Sequence, residues 1–298
     1  MTLQTWRALA VCLLLAFAIF FPGADGSPPR PRIIGIDHVR ILVTDYCEGL
    51  IFYSRLERQP RRCAAGEKRK GGVPFANSHG FIGLNTRSPS DQDNAVAEVA
   101  FATDNAAGLR RYLRSKGVAV SDDRQTLFTV QDPEGHLISF FELNRTANKN
   151  SKDSLEPRII HVGFVVRDRA AMDRFYTDIL GFHVYWRGGM TDGEDNWVDM
   201  QVPDGTDWIE YMLGVSPNAS HKTLGVMNHI ALGVPDIHAA QHQLIKNGWK
   251  GTEEPKIGRD GKWQLNLYDP NETRVELMEF KPTKEPCCSP YTGPHPQP

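Results

Sequence analysis

The chain has no excess of charge of either sign. Its 298 residues carry 34 Lys and Arg against 36 Asp and Glu, a formal net charge of −2, without any long block of like charge. Because nucleic acids are bound by basic faces, a nucleic-acid partner is not expected. Collagen, coiled-coil and polytopic membrane proteins are also excluded by composition. With 40% apolar and 23% charged residues, the chain is predicted to be globular, with about two domains.

Long apolar runs are also missing. The run Ala8–Phe21 has 14 residues, which is short for a hydrocarbon core about 30 Å thick. It follows the charged Arg7 and precedes the small residues Ala24 and Gly26. This pattern is typical of a secretory signal peptide, so residues 1–26 are predicted to be removed. The mature protein is then expected to be secreted or periplasmic and free of the membrane; the alternative is an uncleaved anchor helix.

Cysteine is scarce, at five residues. After export, the four cysteines outside the leader can form disulfides. Three pairings are open to them, of which Cys47–Cys63 is the simplest. Cys287 and Cys288 lie in a proline-rich tail, residues 281–298, which is expected not to form a packed element. This pair can form a vicinal disulfide, serve as a soft-metal site or belong to an inert tail.

Four similar segments occupy most of the chain. The segments "IDHVRILVTD", "AEVAFATD", "IIHVGFVVRD" and "NHIALGVPD" each read as a strand that ends at a potential helix-capping Asp. A helical pattern and several strand-like stretches follow each one, which predicts four β-α-β-β-β units of about 50 residues. Paired units indicate an α+β fold with two domains, at residues 34–143 and 158–280. The polar stretch 144–157 is the predicted linker.

Two histidines and two glutamates recur at matched places in the second pair of units. His161 and His229 lie in the first strands of units three and four, and Glu210 and Glu276 lie in the last strands. Both carboxylates stand among apolar residues, where an unpaired charge is costly. Any one of these residues alone is compatible with an ordinary structural role, but the recurrence favours a metal site. Such a set suits divalent Zn, Ni, Fe(II), Mn or Co.

The units resemble the vicinal oxygen chelate superfamily, the group of glyoxalase I, bleomycin and fosfomycin resistance proteins, methylmalonyl-CoA epimerase and extradiol dioxygenases. The segments "HIALGV" and "DPNETRVEL" look like the glyoxalase-type first-strand and last-strand signatures. The resemblance implies two paired-module domains, each a curved open barrel of eight strands. It also matches His161, Glu210, His229 and Glu276 to the metal ligands of bacterial glyoxalase I. In that family the metal chelates two neighbouring substrate oxygens and stabilises a developing oxyanion.

The first pair of units departs from the ligand pattern. Its equivalent places hold His38, Gly83, Glu98 and Ser139. Because glycine offers no side-chain ligand and serine is a poor one, an incomplete metal site is predicted there. The second domain is therefore expected to carry the activity.

The leading hypothesis is a divalent-metal-dependent enzyme that acts on a small molecule with vicinal oxygens. A lyase or isomerase resembling lactoylglutathione lyase would use Glu210 or Glu276 to move a proton next to a carbonyl. Export argues against glyoxalase I itself, because thiol cosubstrates are chiefly intracellular. An extradiol-type dioxygenase would bind Fe(II) through His161, His229 and Glu276. Against that version stand the additional Glu210 and the absence of a histidine from "LNLYDPNETRVE".

A hypothesis of another class is a secreted protein that sequesters a small ligand without catalysis, as bleomycin resistance proteins do. Aromatic side chains of the second half could line its cavity: Tyr185, Trp186, Trp197, Trp208 and Tyr211. Metal content separates the two hypotheses, because only the enzyme requires about one ion per chain.

Overall fold

The structure is a computed structural model, and it describes residues 28–57, 60–63, 71–74, 80–87, 94–121, 124–143 and 157–298. The predicted leader, residues 1–26, and residues 144–156 of the predicted linker lie outside the described residues. Within the described ranges, no helix combines the length and the apolar character that a membrane crossing requires.

The first half forms one sheet, with six strands in its described part in the order β2-β3-β1-β4-β6-β5. Its elements are β1 (Ile33–Val43), α1 (Tyr46–Ser54), β2 (Gly71–Pro74), β3 (Phe81–Thr86), β4 (Val96–Thr103), α2 (Ala106–Ser115), β5 (Leu127–Gln131) and β6 (Leu137–Glu142). Each of the two units therefore shows a first strand, a helix and two later strands. Eight strands were expected; between α2 and β5 the described residues show only an isolated bridge from Arg124 to Leu127, and residues 64–70 and 75–79 around β2 lie outside the described part.

The second half forms an eight-stranded sheet in the order β12-β13-β14-β11-β7-β10-β9-β8. Its strands are β7 (Arg158–Val165), β8 (His183–Gly188), β9 (Trp197–Gln201), β10 (Trp208–Met212), β11 (His229–Val234), β12 (Lys256–Ile257), β13 (Trp263–Tyr268) and β14 (Arg274–Glu279). Its helices are α3 (Arg169–Asp173), continued by a π-helical turn at Arg174–Ile179, then α4 (His221–Met227) and α5 (Ile237–Lys246). The α+β class with paired modules, whose sheets curl into half-barrels, is confirmed. Helix α4 was not predicted.

The helix ends follow from local chemistry. Three helices begin at an aspartate whose carboxylate accepts a backbone N–H of the first turn: Asp45, Asp168 and Asp236. In α2 the cap is Asn105 and not the expected Asp104, since the Asn105 side chain accepts from Gly108 N. Three predicted helices are followed by a glycine with positive φ, the conformation that ends a helix at little steric cost: Gly117, Gly181 and Gly248.

A reciprocal pair of hydrogen bonds joins the two halves. The Tyr53 hydroxyl of the first unit donates to Asp269 of the fourth unit at 3.0 Å. The Tyr176 hydroxyl of the third unit donates to Asp132 of the second unit at 3.2 Å. Burial raises the pKa of both tyrosines, so both keep the proton that they donate. One continuous apolar core extends through both halves, and these bonds join the first unit to the fourth and the second unit to the third.

The proline-rich tail packs against the second sheet, so the expectation of an unpacked tail is wrong. Its backbone pairs with β8, because Thr292 N donates to Tyr185 O at 3.0 Å. The Trp186 indole N–H donates to Cys287 O at 3.1 Å, and the Tyr291 hydroxyl donates to Asp260 O at 2.7 Å. Proline prevents regular structure, but these side-chain and main-chain partners hold the segment without it.

Both pairs of cysteines are joined. The bond Cys47–Cys63 has a Cα–Cα distance of 5.4 Å and closes a loop within the first half. Cys287 and Cys288 form a vicinal disulfide, which is one of the three alternatives left open by the sequence.

Candidate metal centre

Strand register brings the four predicted ligands to one face of the second sheet. In the antiparallel pair β7–β11, His229 lies opposite Gly163 and His161 lies opposite Ala231, so the two imidazoles are diagonal neighbours. The parallel partners β10 and β14 flank this pair. Glu210 lies opposite Gly163, and Glu276 lies opposite Ala231. Four adjacent central strands therefore each contribute one ligand from matched positions.

The donor atoms converge on one point. The Nε2 atoms of His161 and His229 are 3.0 Å apart. An oxygen of Glu210 lies 3.1 Å from His229 Nε2 and 3.7 Å from His161 Nε2. An oxygen of Glu276 lies 3.7 Å from His161 Nε2 and 3.9 Å from His229 Nε2. Metal–ligand bonds of about 2.0–2.2 Å place neighbouring donor atoms about 3–3.5 Å apart. The ligand atoms of His161, Glu210 and His229 lie within 4.8 Å of one another and could hold a divalent ion, with Glu276 at the edge of this group.

The absence of a side chain at Gly163 provides the space that the His229 ring occupies. A Cβ at residue 163 would lie 2.1 Å from His229 Cε1 and 2.2 Å from its Nδ1. Because such contacts are far below van der Waals separation, any side chain at this place would displace the imidazole. The glycine therefore belongs to the site although it offers no ligand atom.

Burial holds both imidazoles neutral, as a metal ligand must be. Desolvation, with the positive charge of Arg274 among the further causes, lowers the pKa of His161 and of His229 well below the ordinary value. His229 Nδ1 donates to Met227 O at 2.9 Å, so Nε2 carries the lone pair. The guanidinium of Arg274, 2.8 Å from Nε2, competes with an ion for it. His161 Nδ1 has no hydrogen-bond partner within the described part of the chain.

Burial acts on the carboxylates in the opposite direction. It raises the pKa of Glu210 and of Glu276 to about 7, against the opposing effect of Arg274. Each group is therefore partly protonated near neutral pH and can both accept and release a proton there.

Three charged residues of the site were missed in the sequence. Asp199 is buried on β9 directly opposite Glu210, and burial raises the pKa of its carboxyl. The guanidinium of Arg274 lies against the His229 ring, 2.9 Å from Nδ1 and 2.8 Å from Nε2. Lys262 is fully buried. Asp199 gave a detectable signal, since "WVDMQ" places an acid within an apolar strand, as "WIEYM" does for Glu210.

The site opens into a cavity of about 390 Å³. Its walls combine three tryptophans and four methionines with three cations: Trp186, Trp197, Trp208, Met190, Met212, Met227, Met278, Lys256, Arg259 and Arg274. Of the aromatic residues proposed to line a cavity, the three tryptophans do so. Tyr185 lies behind Trp208, and Tyr211 packs instead against Tyr176.

The equivalent place in the first half has a different chemistry. The same strand register there brings Arg40 to the place of Gly163 and Glu98 to the place of His229. The Arg40 guanidinium forms an ion pair with buried Glu98 at 3.0 Å, and the Ser139 hydroxyl donates to the same carboxylate. His38 is turned toward Asp37, at 2.7 Å. The first half thus supplies its own positive charge where the second half gathers metal-binding groups.

Residues 158–277 match the family model of the Glyoxalase/Bleomycin resistance protein/Dioxygenase superfamily. This stretch contains all four predicted ligands, His161, Glu210, His229 and Glu276. The domain in the second half of the chain therefore matches the model of this superfamily.

Matches to individual proteins extend over more of the chain than residues 158–277. It is 24% identical over 230 residues to a protein described as "Probable lactoylglutathione lyase, chloroplastic" from Arabidopsis thaliana, with 76% of this chain and 61% of that protein covered. The chain thus spans less than two thirds of that relative. A solved catechol 2,3-dioxygenase matches with a TM-score of 0.61 at 14% identity, over 90% of this chain and 96% of that one. Homoprotocatechuate 2,3-dioxygenase from Arthrobacter globiformis matches with a TM-score of 0.57 at 21% identity, over 85% and 81%. At these identities the structural likeness shows the fold.

Proposed function

We propose that the second half is a divalent-metal-dependent lyase or isomerase that moves a proton next to a carbonyl of a small molecule with two adjacent oxygens. The observation that carries this proposal is the pair of buried carboxylates, Glu210 and Glu276, placed at matched positions on either side of the imidazoles of His161 and His229.

The metal would be held by the two imidazoles and the two glutamates. When bound, a divalent ion such as Zn, Ni, Fe(II), Mn or Co supplies Lewis acidity to the adjacent substrate oxygens. The residues of the chain supply the proton transfer. In the metal-free site, burial raises the pKa of both glutamates to about 7. Whichever of Glu210 and Glu276 leaves the ion would therefore be suited to take a proton from carbon and return it at a neighbouring atom.

The position of Glu210 favours this chemistry over ring cleavage. A dioxygenase site built on His161, His229 and Glu276 leaves Glu210 outside the ligand set. In the structure, however, Glu210 approaches His229 to 3.1 Å, and the ligand atoms of His161, Glu210 and His229 all lie within 4.8 Å of one another, in a group that does not include Glu276. The proposal therefore assigns both glutamates to the reaction.

The cavity favours a substrate with an apolar body. Tryptophan and methionine side chains provide the apolar surface, and the charged part of the lining combines cations such as Lys256 and Arg274 with the carboxyl groups of Asp199 and Asp260. A volume of about 390 Å³ lies at the small end of the range for small-molecule pockets.

We further propose that the protein works in an oxidising compartment, after export. The two disulfides and the leader pattern of residues 1–26 support this. Mass spectrometry of the exported protein should find residues 1–26 removed; recovery of the intact N-terminus would contradict export by cleavage.

Metal analysis and turnover test the proposed reaction. Natively purified protein should contain about one transition-metal ion per chain and should turn over a small compound with adjacent oxygens; thiol adducts of methylglyoxal and catechols are the compounds to test first. Glu210→Gln and Glu276→Gln should each lower turnover at least 100-fold, while Glu98→Gln in the first half serves as the matched control. Cleavage of catechols that survives Glu210→Gln would favour a dioxygenase. Absence of metal and turnover, with retained ligand binding, would favour a sequestering protein.

A further inference from the structure

We infer that the C-terminal tail, residues 281–298, is part of the metal centre, because its Tyr291 positions the His161 imidazole through Lys262 and Trp208. This inference rests on the proposed metal-binding role of His161. The tail lies outside the stretch that matches the superfamily model, which ends at residue 277.

The two histidines are oriented by different means. His229 is fixed by its hydrogen bond to Met227 O and by its close packing over Gly163. His161 has no hydrogen-bond partner at Nδ1 within the described part of the chain, although it is 2% exposed. Its ring packs against Trp208, with centroids 4.8 Å apart and planes 34° apart. The direction of His161 Nε2 therefore depends on where Trp208 lies.

Trp208 is held in turn by a buried cation. The ammonium group of Lys262 lies 4.5 Å from the centre of the Trp208 ring. It also lies 5.2 Å from the ring of Tyr185 and 5.1 Å from that of Tyr291. These distances are those of cation–π interactions, which are strongest when the cation is shielded from water. Lys262 Nζ has no hydrogen-bond partner among the described residues, so the three rings contact it directly. Four carboxyl groups act on its charge without a hydrogen bond: Asp260, Asp199, Glu276 and Glu210.

The rings of Trp208, Tyr185 and Tyr291 form an aromatic cage around Lys262. Tyr291 is the ring that the tail contributes. Its hydroxyl donates to Asp260 O at 2.7 Å, and its ring packs on Tyr185 at 4.7 Å. The tail is fixed on both sides of it, by the bond from Trp186 to Cys287 O and by the bond from Thr292 N to Tyr185 O. Without the Tyr291 ring, one side of the Lys262 ammonium faces water.

An ammonium group that gains access to water leaves an aromatic cage, since hydration outweighs contact with ring faces. Trp208 then loses the neighbour on one of its faces, and the His161 ring gains rotational freedom. Residues that orient a metal-binding histidine typically contribute 10–100-fold to metal affinity. Tyr291 is accordingly a positioning residue, and the expected loss on opening the cage lies in that range.

The test compares Tyr291→Leu, which removes the ring, with Tyr291→Phe, which keeps the ring and removes the hydroxyl. Glu285→Ala, at an exposed tail position, is the control. Affinity for Co(II) is measured by competition with a chelator, together with the visible absorption of the Co(II) protein. Tyr291→Leu should lower affinity 10–100-fold and change the spectrum, whereas Tyr291→Phe and Glu285→Ala should stay within about twofold of the wild type. Equal affinities and spectra for all four proteins would overturn the inference.

A second measurement requires no metal. In the metal-free full chain, the His161 Cε1–H resonance, assigned by its loss in His161→Gln, reports the ring current of Trp208. It should move toward the value of a solvent-exposed histidine in Tyr291→Leu and remain in place in Tyr291→Phe. A shift in a protein that binds no metal would support the positioning and refute the proposed metal function; an unmoved resonance would refute the positioning. If Tyr291→Leu fails to fold, Lys262→Met opens the same cage from within and is expected to give the same shift.

Discussion

Substitution of Gly163 by alanine tests the centre without removing any ligand atom. The added Cβ would lie 2.1 Å from His229 Cε1, more than 1 Å inside normal contact distance. The atoms that the new Cβ would meet belong to the His229 ring, which is buried, and not to the end of a flexible side chain. His229 must therefore turn, or the strands must separate. Overpacking of this kind costs about 1–3 kcal/mol of folding free energy. For a chain of this size, that corresponds to a fall in melting temperature of roughly 2–10 °C.

The stronger expectation concerns metal. Displacement of one of four ligands should lower affinity for Zn(II) or Co(II) at least 10–100-fold, by analogy with the loss of groups that merely orient a ligand. Gly83→Ala in β3 is the matched control, because its Cβ would meet nothing closer than 3.4 Å. Thermal unfolding and chelator competition, with and without metal, measure both effects. The reasoning is refuted if Gly163→Ala and Gly83→Ala have the same melting temperature and the same metal affinity.

Three further predictions concern metal content, pH and the join between the halves. His229→Ala should remove most of the bound metal found by elemental analysis, while His38→Ala should leave it unchanged; equal losses would mean that the wrong half has been assigned. Burial raises the pKa of Glu210 and Glu276 to about 7, so metal affinity should rise with pH through 7. The metal-free protein should instead lose stability as pH rises from about 4.5 to 7, because the folded state then has to release these protons. Flat profiles in titration calorimetry and thermal melts would count against this. Tyr53→Phe should cost about 1–3 kcal/mol in urea unfolding, because a buried hydrogen bond to a carboxylate is lost, and an unchanged midpoint would show that the bond between the halves is unimportant.

The periodic features of the fold could be predicted from the sequence because each has a local cause. Strand alternation, the capping aspartates and the glycines with positive φ all act within a few residues, and matched spacing placed the four ligands on equivalent strands. The cap of α2 is Asn105, one residue after the predicted Asp104. Sequence patterns do not fix a helix end to within one residue.

Features that depend on contacts distant in sequence were missed. The tail was expected to be unpacked because its prolines exclude regular structure, yet its partners are side chains of β8 and of the loop before β13. The cage around Lys262 likewise joins residues from three separate segments. Nothing near Lys262 in "RDGKWQ" distinguishes it from a lysine at the surface, since its burial is decided by the rings that surround it.

The ion pair between Arg40 and Glu98 has a consequence for how the chain could acquire its metal. Arg40 of β1 neutralises the buried carboxylate of Glu98 on the neighbouring strand β4. The first half therefore needs no metal ion to fold. That half shares one apolar core with the second, and the reciprocal tyrosine bonds fix the two together. If the second half binds metal as proposed, its core is supported by a first half that needs no ion, and the metal can enter after the chain has folded.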